Sequence, residues 1–115
     1  MELDTLLQLL RDSPERVTFN DTIALIDARY EFTPTTFSNG ALRSAAGQNN
    51  GSCKIFSFGM LHRLRPQQTL ACFGDYYRKD VLGNPQGSDH QNIRNFMKSG
   101  WEGIQFDGEA LRPKS

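Results

Sequence analysis

The sequence has few of the features that mark specialised classes of protein. Its 115 residues contain two cysteines, which is too few for a disulfide scaffold. Thirteen basic residues balance 13 acidic ones, so a net charge of zero gives no general attraction to nucleic acid or to an anionic membrane. No apolar run approaches the roughly 18 residues that a membrane-spanning helix needs. We therefore expect neither nucleic acid nor a membrane as a partner.

The apolar material that is present fits one folded domain over residues 1–115. Hydrophobic residues make up 37% of the chain and aromatic residues 10%, which suffices for one core and is too much for a disordered protein. The first ten residues lack the basic start of a secretory signal peptide, so we expect no such signal.

Helical spacing of apolar residues begins at the start of the chain. The leucines of residues 3–10 form one amphipathic stripe, and Pro14 is expected to end that helix. Asn20 or Asp21 is predicted to cap a second helix, which carries Tyr30 on its apolar side. These segments predict two short helices in the first 30 residues.

Three further helices are predicted in the second half of the chain. Ser52 is expected to cap the third, and residues 55–64 are apolar around nearly its whole circumference, which is typical of a buried central helix. Residues 70–81 keep helical periodicity and predict a fourth helix. The fifth is predicted to begin at residues 87–89 and to end at Gly100.

Two segments have the composition of extended chain. Residues 30–37 are rich in aromatic and β-branched side chains, although Pro34 confines any strand there to an edge or a start. Residues 103–107 are the second candidate, and the two segments are expected to pair. The predicted fold is therefore α+β: a mostly helical single domain of four to five helices with a small sheet of short strands.

Three familiar site patterns fail on spacing. The cysteines and histidines stand singly along the chain, whereas zinc sites draw on closely spaced pairs, so no metal or cofactor is predicted. Cys72 and Arg78 have the separation found in tyrosine phosphatases, but bulky residues and Asp75 lie between them. Residues 47–54 miss the spacing of a phosphate-binding loop. The start of the third helix with Lys54 stays open as an anion site.

Asp27 and His90 are the candidate acid–base groups. Asp27 falls near the apolar side of the second helix, where a partly buried carboxylate is either a general acid or base or a structural group with a hydrogen-bond partner. His90 lies near the start of the fifth helix, whose dipole disfavours its charged form. Asn92 and Arg94 extend this polar run, and such side chains bind either a ligand or buried loop backbone.

Several phrases occur together in a fixed order and give the sequence its most specific signal. They are Ile26-Asp27-Ala28-Arg29-Tyr30, Phe32-Thr33-Pro34-Thr35-Thr36-Phe37, Ala45-Ala46-Gly47-Gln48-Asn49-Asn50-Gly51-Ser52-Cys53-Lys54, Leu70-Ala71-Cys72-Phe73-Gly74-Asp75-Tyr76-Tyr77-Arg78 and Asp89-His90-Gln91-Asn92-Ile93-Arg94-Asn95-Phe96-Met97. Across residues 15–107 the chain resembles the HopJ type III effector family of small bacterial proteins. The resemblance implies type III secretion into a host cell. Because the first ten residues form a predicted helix and lack a Ser-rich, acid-poor secretion segment, we expect a location in the bacterial cytoplasm, with secretion as the alternative. The resemblance supplies no catalytic residues.

We expect a small soluble binding domain of undetermined activity, whose partner is an unidentified small ligand or a protein. Its polar pocket is predicted to be lined by Asp27, Tyr30, Asn49, Asn50, Lys54, His90, Asn92 and Arg94. One alternative is an enzyme that uses Asp27 or His90 as acid or base and Cys53 as nucleophile, which requires a thiol of lowered pKa. The other is an effector that docks on a host protein through an exposed apolar patch.

Overall fold

A computed structural model describes residues 1–114, so Ser115, the last residue of the predicted domain, lies outside the described residues. Within that range the chain forms five α-helices, a π-helical segment, two 3-10 turns and five short strands. In chain order they are α1 (Leu3–Asp12), a 3-10 turn (Pro14–Arg16), α2 (Phe19–Arg29), β1 (Tyr30–Phe32), β2 (Phe37–Asn39), β3 (Leu42–Ser44), α3 (Asn50–Leu61), α4 (Pro66–Ala71), the π-helical segment (Tyr76–Val81), α5 (Gln91–Ser99), a 3-10 turn (Gly100–Gly103), β4 (Ile104–Phe106) and β5 (Leu111–Pro113). The predicted α+β fold is confirmed.

The first two helices differ in how closely they match the prediction. α1 buries Leu6 and Leu10 and ends at Asp12, as the leucine stripe predicts. The predicted cap of α2 at Asn20 or Asp21 is wrong, because those residues already lie inside the helix. Thr18 is the N-cap: its backbone is extended, and its Oγ1 accepts a hydrogen bond from the backbone N–H of Asp21 at 3.0 Å.

α3 is the central helix of the domain, as its all-round apolar character predicts. Cys53, Ile55, Phe56 and Phe58 are buried along it. It ends at Leu61 and not at residue 64, and it begins at residue 50 after a left-handed residue, so the predicted cap at Ser52 is wrong.

The predicted continuous helix over residues 70–81 is interrupted. α4 ends at Ala71, and the π-helical segment begins at Tyr76. Between them Gly74 has a φ of +61°, and a Cβ built there would lie 2.6 Å from the backbone nitrogen of Phe19. Only glycine allows this close approach to the start of α2, and the left-handed backbone breaks the helix.

The segment predicted as one strand divides between two antiparallel sheets. Its first part, β1, pairs with β5, a strand that the sequence did not indicate, with Tyr30 opposite Pro113. Its last residue, Phe37, belongs to β2, which pairs with both β3 and β4, giving the order β3-β2-β4. The expected pairing with residues 103–107 is found there, where Phe37 stacks on Phe106 with ring centroids 5.3 Å apart. Pro34 lies between the two strands.

Aromatic rings around the middle of α3 join the three-stranded sheet to the helices. The Phe56 ring lies 5.0–6.5 Å from four other rings, those of Phe37, Phe73, Phe96 and Trp101. These rings come from β2, the residues after α4, α5 and the 3-10 turn before β4. Large aromatic surfaces dominate core energetics, so this cluster fixes α3 and α5 beside each other.

Candidate binding cleft

The starts of α3 and α5 meet at one cleft of about 520 Å³. The residues just before the two helices, Asn49 and His90, both line it, and so do first-turn residues of each helix, among them Gly51, Ser52 and Asn92. Three of the eight predicted pocket residues therefore come together here: Asn49, His90 and Asn92. The fifth helix begins at residue 91 and not at the predicted residues 87–89, because Arg94 binds the backbone oxygens of Asn84 and Asp89 and holds residues 84–89 as a loop.

Both helices begin after a residue in the left-handed conformation. Asn49 has a φ of 53° and His90 a φ of 50°, and neither side chain caps its helix. A left-handed non-glycine residue costs about 1 kcal/mol. The first N–H groups of each helix have no intrahelical acceptor, and here no N-cap side chain takes them. The cleft is consequently lined by unused backbone donors at the positive ends of two helix dipoles.

His90 is held by an acidic neighbour and an aromatic ring. Its Nε2 lies 3.1 Å from Oδ2 of Asp80, on the π-helical segment, and 3.8 Å from Oδ2 of Asp89. Its ring centroid is 5.3 Å from that of Tyr76. A carboxylate beside one imidazole nitrogen fixes the ring orientation, which is an arrangement that acid–base histidines use.

Two aromatic residues, Phe19 and Tyr76, also line the cleft. Phe19 packs edge-on against Tyr76 with centroids 5.0 Å apart, and Tyr76 is 44% exposed. A Cβ built on Gly51 would lie 3.0 Å from Cζ of Phe19, so glycine allows the helix start to approach the ring. Phe19 is not among the predicted site residues, because an aromatic residue at a helix start is equally typical of a core.

Asn92 lines the cleft, but its polar atoms join α5 to the sheet. Its backbone oxygen and its Oδ1 accept hydrogen bonds from Nδ2 of Asn39, at 2.7 and 3.0 Å. Asn95 donates to the backbone oxygen of Asn39 at 3.1 Å. The asparagines thus tie the helix to β2, which is a structural use of polar groups that are mostly buried.

Arg94 is buried and binds loop backbone. It donates to the backbone oxygens of Asn84 (3.0 Å), Pro85 (3.4 Å) and Asp89 (2.6 Å), and to the carboxylate of Asp89 at 2.7 Å. The guanidinium hydrogen-bonded to Asp89 holds the pKa of that carboxyl below its usual value. The loop use of this side chain, left open by the sequence, is the one observed, and Arg94 does not line the cleft.

Asp27 and Lys54 form an ion pair away from the cleft. Asp27 Oδ1 is 2.8 Å from Lys54 Nζ, and the Lys54 nitrogen lies 4.9 Å from the centre of the Phe32 ring. Asp27 was expected to be partly buried, but its side chain is 50% exposed and that of Lys54 only 17%. The lysine reaches outward over Phe32 to the acid, so Asp27 and His90 do not share a site. Asn50 is exposed and does not line the cleft either.

Tyr30 belongs to a separate contact at the other end of α3. Its hydroxyl lies 2.7 Å from Nε2 of His62, the residue that follows the helix. Burial raises the pKa of Tyr30 and lowers that of His62, and the charge of Arg29 lowers both. Both shifts favour the uncharged forms, in which the Tyr30 hydroxyl and an imidazole nitrogen share one hydrogen bond. The eight predicted pocket residues are thus spread over five places: the cleft, the Arg94 loop contact, the Asp27–Lys54 ion pair, the Tyr30–His62 contact and the exposed position of Asn50.

The family follows from comparison with known proteins. The model of the HopJ type III effector protein family matches residues 3–111, nearly the whole chain. This chain belongs to the HopJ family. The resemblance read from the sequence phrases is thereby confirmed. A crystal structure described as that of the unknown function protein VPA0580 is similar, with a TM-score of 0.97 and 55% identity, covering 99% of this chain and 95% of that chain. No curated protein matches.

The thiols of this HopJ protein are buried and protonated. Burial raises the pKa of Cys72 to about 12, and its Sγ donates to the backbone oxygen of Gln68 at 3.5 Å. Burial also raises the pKa of Cys53, whose Sγ donates to the backbone oxygen of Thr35 at 3.6 Å. A thiol nucleophile needs a lowered pKa, so the Cys53 version of the enzyme hypothesis meets the opposite environment.

The described part of the HopJ structure contains neither a metal-holding group of side chains nor a membrane-spanning helix. Among residues 1–114, no three His, Cys, Asp or Glu side chains are grouped so that they could hold a metal ion. Over the same part of the chain, none of the helices has both the length and the apolar character needed to cross a membrane.

Proposed function

We propose that this HopJ family protein binds a small anionic ligand in the cleft between the starts of α3 and α5. The observation that carries the proposal is the meeting of two helix starts at one cleft, with neither start capped by its own side chain. An anion placed there gains hydrogen bonds from unused N–H groups and a favourable interaction with both helix dipoles. The cleft volume of about 520 Å³ also falls within the range of small-molecule sites.

The aromatic wall supports a ligand with a flat or apolar part next to its anionic group. Phe19 and Tyr76 face the same cleft as the helix starts, and His90 lies beside Tyr76. Rings of this kind gain from stacking on a planar partner. Small carboxylates and phosphates that carry a ring are therefore the first compounds to test.

The experiment is a thermal-shift screen of the pure protein against nucleotides, inorganic phosphate and small carboxylic acids. A ligand present at a hundred times its dissociation constant raises the free energy of unfolding by about 2.7 kcal/mol. Each hit is repeated on Ser52→Asp, which places a carboxylate in the cleft at a helix position that favours acidic residues. Thr5→Asp makes the same charge change in the first turn of α1 and is the matched control.

The expected result is a shift that Thr5→Asp retains and Ser52→Asp loses. A shift of equal size in both variants would place the ligand elsewhere. The absence of any shift across the panel would count against a small anion and in favour of a protein partner.

Acid–base chemistry at His90 is a second candidate function. It is favoured by the 3.1 Å distance between Nε2 of His90 and the carboxylate of Asp80 at the edge of the cleft. It predicts that a ligand found in the screen is converted, and that His90→Gln stops conversion while binding remains. Binding without conversion in the unmodified protein would leave the ligand-binding proposal alone.

The family description supports a separate proposal about location. We infer that this chain is exported by a type III system, since its family is described as a type III effector protein. The test is a fusion of the full chain to a reporter enzyme, with reporter activity measured inside host cells. Activity that depends on an intact type III apparatus supports export. Retention of the fusion in the bacterium under inducing conditions favours a cytoplasmic role.

A further inference from the structure

A second groove lies where the end of α1, the Pro14–Arg16 turn, α4 and the π-helical segment meet. Its volume is about 760 Å³, which is larger than that of the cleft and also falls within the range of small-molecule sites. The two cavities share no lining residue. A ligand in this groove is therefore independent of the function proposed for the cleft.

Part of the groove is apolar. Leu10 and Ala71 are buried core residues that reach its surface, and Leu82 lines it with 49% of its area exposed. Tyr77 adds a partly buried ring. Contiguous apolar surface that stays open to water is a common property of ligand grooves.

The charged residues of the groove are mostly basic. Arg11, Arg65 and Arg78 line it together with a single acid, Glu15, so three positive charges against one negative leave a net charge of +2. None of the three arginines takes part in an ion pair within the described chain. In a protein of zero net charge, this is a local concentration of unpaired positive charge.

Arg78 is held in place without being neutralised. Its guanidinium donates to the backbone oxygens of Pro14 (3.3 Å), Ala71 (3.4 Å) and Val17 (2.5 Å). These carbonyls fix the side chain and join the π-helical segment to the turn after α1. Because a partly buried cation with only neutral acceptors keeps its charge, it attracts an anion into the groove.

We propose that this groove binds an amphipathic carboxylate. Its head group pairs with Arg11 and Arg65, and its apolar body lies along Leu10 and Leu82. The fork of N–H groups on arginine matches the two oxygens of a carboxylate, which gives a strong and directional contact. Glu15 lines the same groove and offsets one of its three positive charges, and the remaining net charge of +2 favours an anionic head group over a neutral one.

The test is calorimetric titration with octanoate below its micelle-forming concentration, beside octanol and octyl phosphate. Saturable binding of octanoate is expected, with octanol and octyl phosphate both weaker. Loss of charge-assisted hydrogen bonds in the double variant Arg11→Gln and Arg65→Gln is expected to weaken octanoate binding at least about tenfold. Arg16→Gln is the control for loss of a nearby surface charge, because Arg16 is exposed on the Pro14–Arg16 turn beside the groove but does not line it.

Two further variants separate the parts of the proposal. Leu82→Ser removes exposed apolar surface and is expected to weaken octanoate binding while the arginines remain. Ser52→Asp alters the cleft and is expected to leave octanoate binding unchanged. The proposal is overturned if octanoate does not bind, if octanol binds equally well, if octyl phosphate binds more tightly, or if Arg16→Gln weakens binding as much as the double variant.

Discussion

The starts of α2 and α5 are stabilised by different contacts. At the start of α2, Thr18 has extended backbone, and its side chain accepts a hydrogen bond from the first turn. At the start of α5, His90 is left-handed, and its side chain contacts Asp80 instead of the helix. The loop before α5 is held by Arg94, which lies one turn into the helix. The Thr18 side chain thus accepts a first-turn N–H of α2, whereas no N-cap side chain accepts those of α5.

This difference shows where local stability and an open site conflict. A capped start satisfies first-turn N–H groups with the chain's own side chain, which stabilises the helix and blocks an external anion. The starts of α3 and α5 lack such caps and have left-handed residues before them. Both of these features cost stability, and both occur at the same cleft. Mutations at a capped start and at an uncapped start are therefore expected to change the free energy of unfolding by different amounts and for different reasons.

Arg94→Met gives the largest expected effect, because it removes the contact that replaces a cap at α5. Methionine keeps much of the apolar stem, but the backbone oxygens of Asn84, Pro85 and Asp89 lose their donor. We expect the free energy of unfolding to fall by about 2–4 kcal/mol, measured by urea denaturation.

The control for Arg94→Met is Arg112→Met. Arg112 is an exposed arginine whose contact is a 3.5 Å ion pair with exposed Glu109. Its replacement is expected to change stability by less than about 0.5 kcal/mol. Equal losses in the two variants would mean that the loop before α5 does not depend on Arg94.

Thr18→Ala is expected to lower the free energy of unfolding by about 1 kcal/mol, since it removes the side-chain cap of α2. Thr18→Gly is expected to cost only a few tenths of a kcal/mol, because glycine is tolerated at an N-cap far better than alanine. Chemical denaturation of both variants measures the two values. A neutral Thr18→Ala would show that water replaces the threonine at no cost.

His90 tests the left-handed start of α5. His90→Gly and His90→Ala remove the same contacts with Asp80 and Tyr76, but glycine adopts a φ of 50° freely. We expect the glycine variant to be more stable than the alanine variant by about 1 kcal/mol. Paired thermal and urea melts test this difference. Equal stabilities would indicate that the left-handed start relaxes once the side chain is removed.

Much of the fold was predictable from local sequence patterns. The leucine stripe of α1 and the all-round apolar character of α3 predicted the burial of both helices directly. The interruption at Gly74 was not predictable, because helical periodicity continues through it. It arises from a contact with the backbone of Phe19, which is 55 positions away in the chain. The pairing of β1 with β5 is likewise set by distant packing.

The candidate site was predictable only in part. The sequence indicated Asn49, His90 and Asn92 by their polarity near helix starts, and these line one cleft. It grouped Asp27 and Lys54 with them, but a salt bridge 27 positions apart in sequence needs only that α2 and α3 pack together. Residue type reports which groups are polar. Which cavity they face depends on helix packing, which no local pattern records.

The smallest expected effect concerns the end of α3, where His62 is hydrogen-bonded to the hydroxyl of Tyr30. Because burial lowers the pKa of His62 in the folded protein, the unfolded chain binds the proton more strongly. Stability is therefore full above the ordinary histidine pKa of about 6.5 and falls as the pH drops below it. Denaturant melts between pH 7 and pH 5 should show this loss in the unmodified protein.

His62→Gln removes the titrating group and is expected to flatten that pH dependence. The chain has one other histidine, so His90→Gln is the matched control and should keep the slope contributed by His62. If His90→Gln flattens the profile instead, the pH dependence belongs to the cleft and its acidic neighbour Asp80. His62 at the end of α3 would then not contribute the pH dependence that its burial predicts, and the start of α5 would contribute it instead.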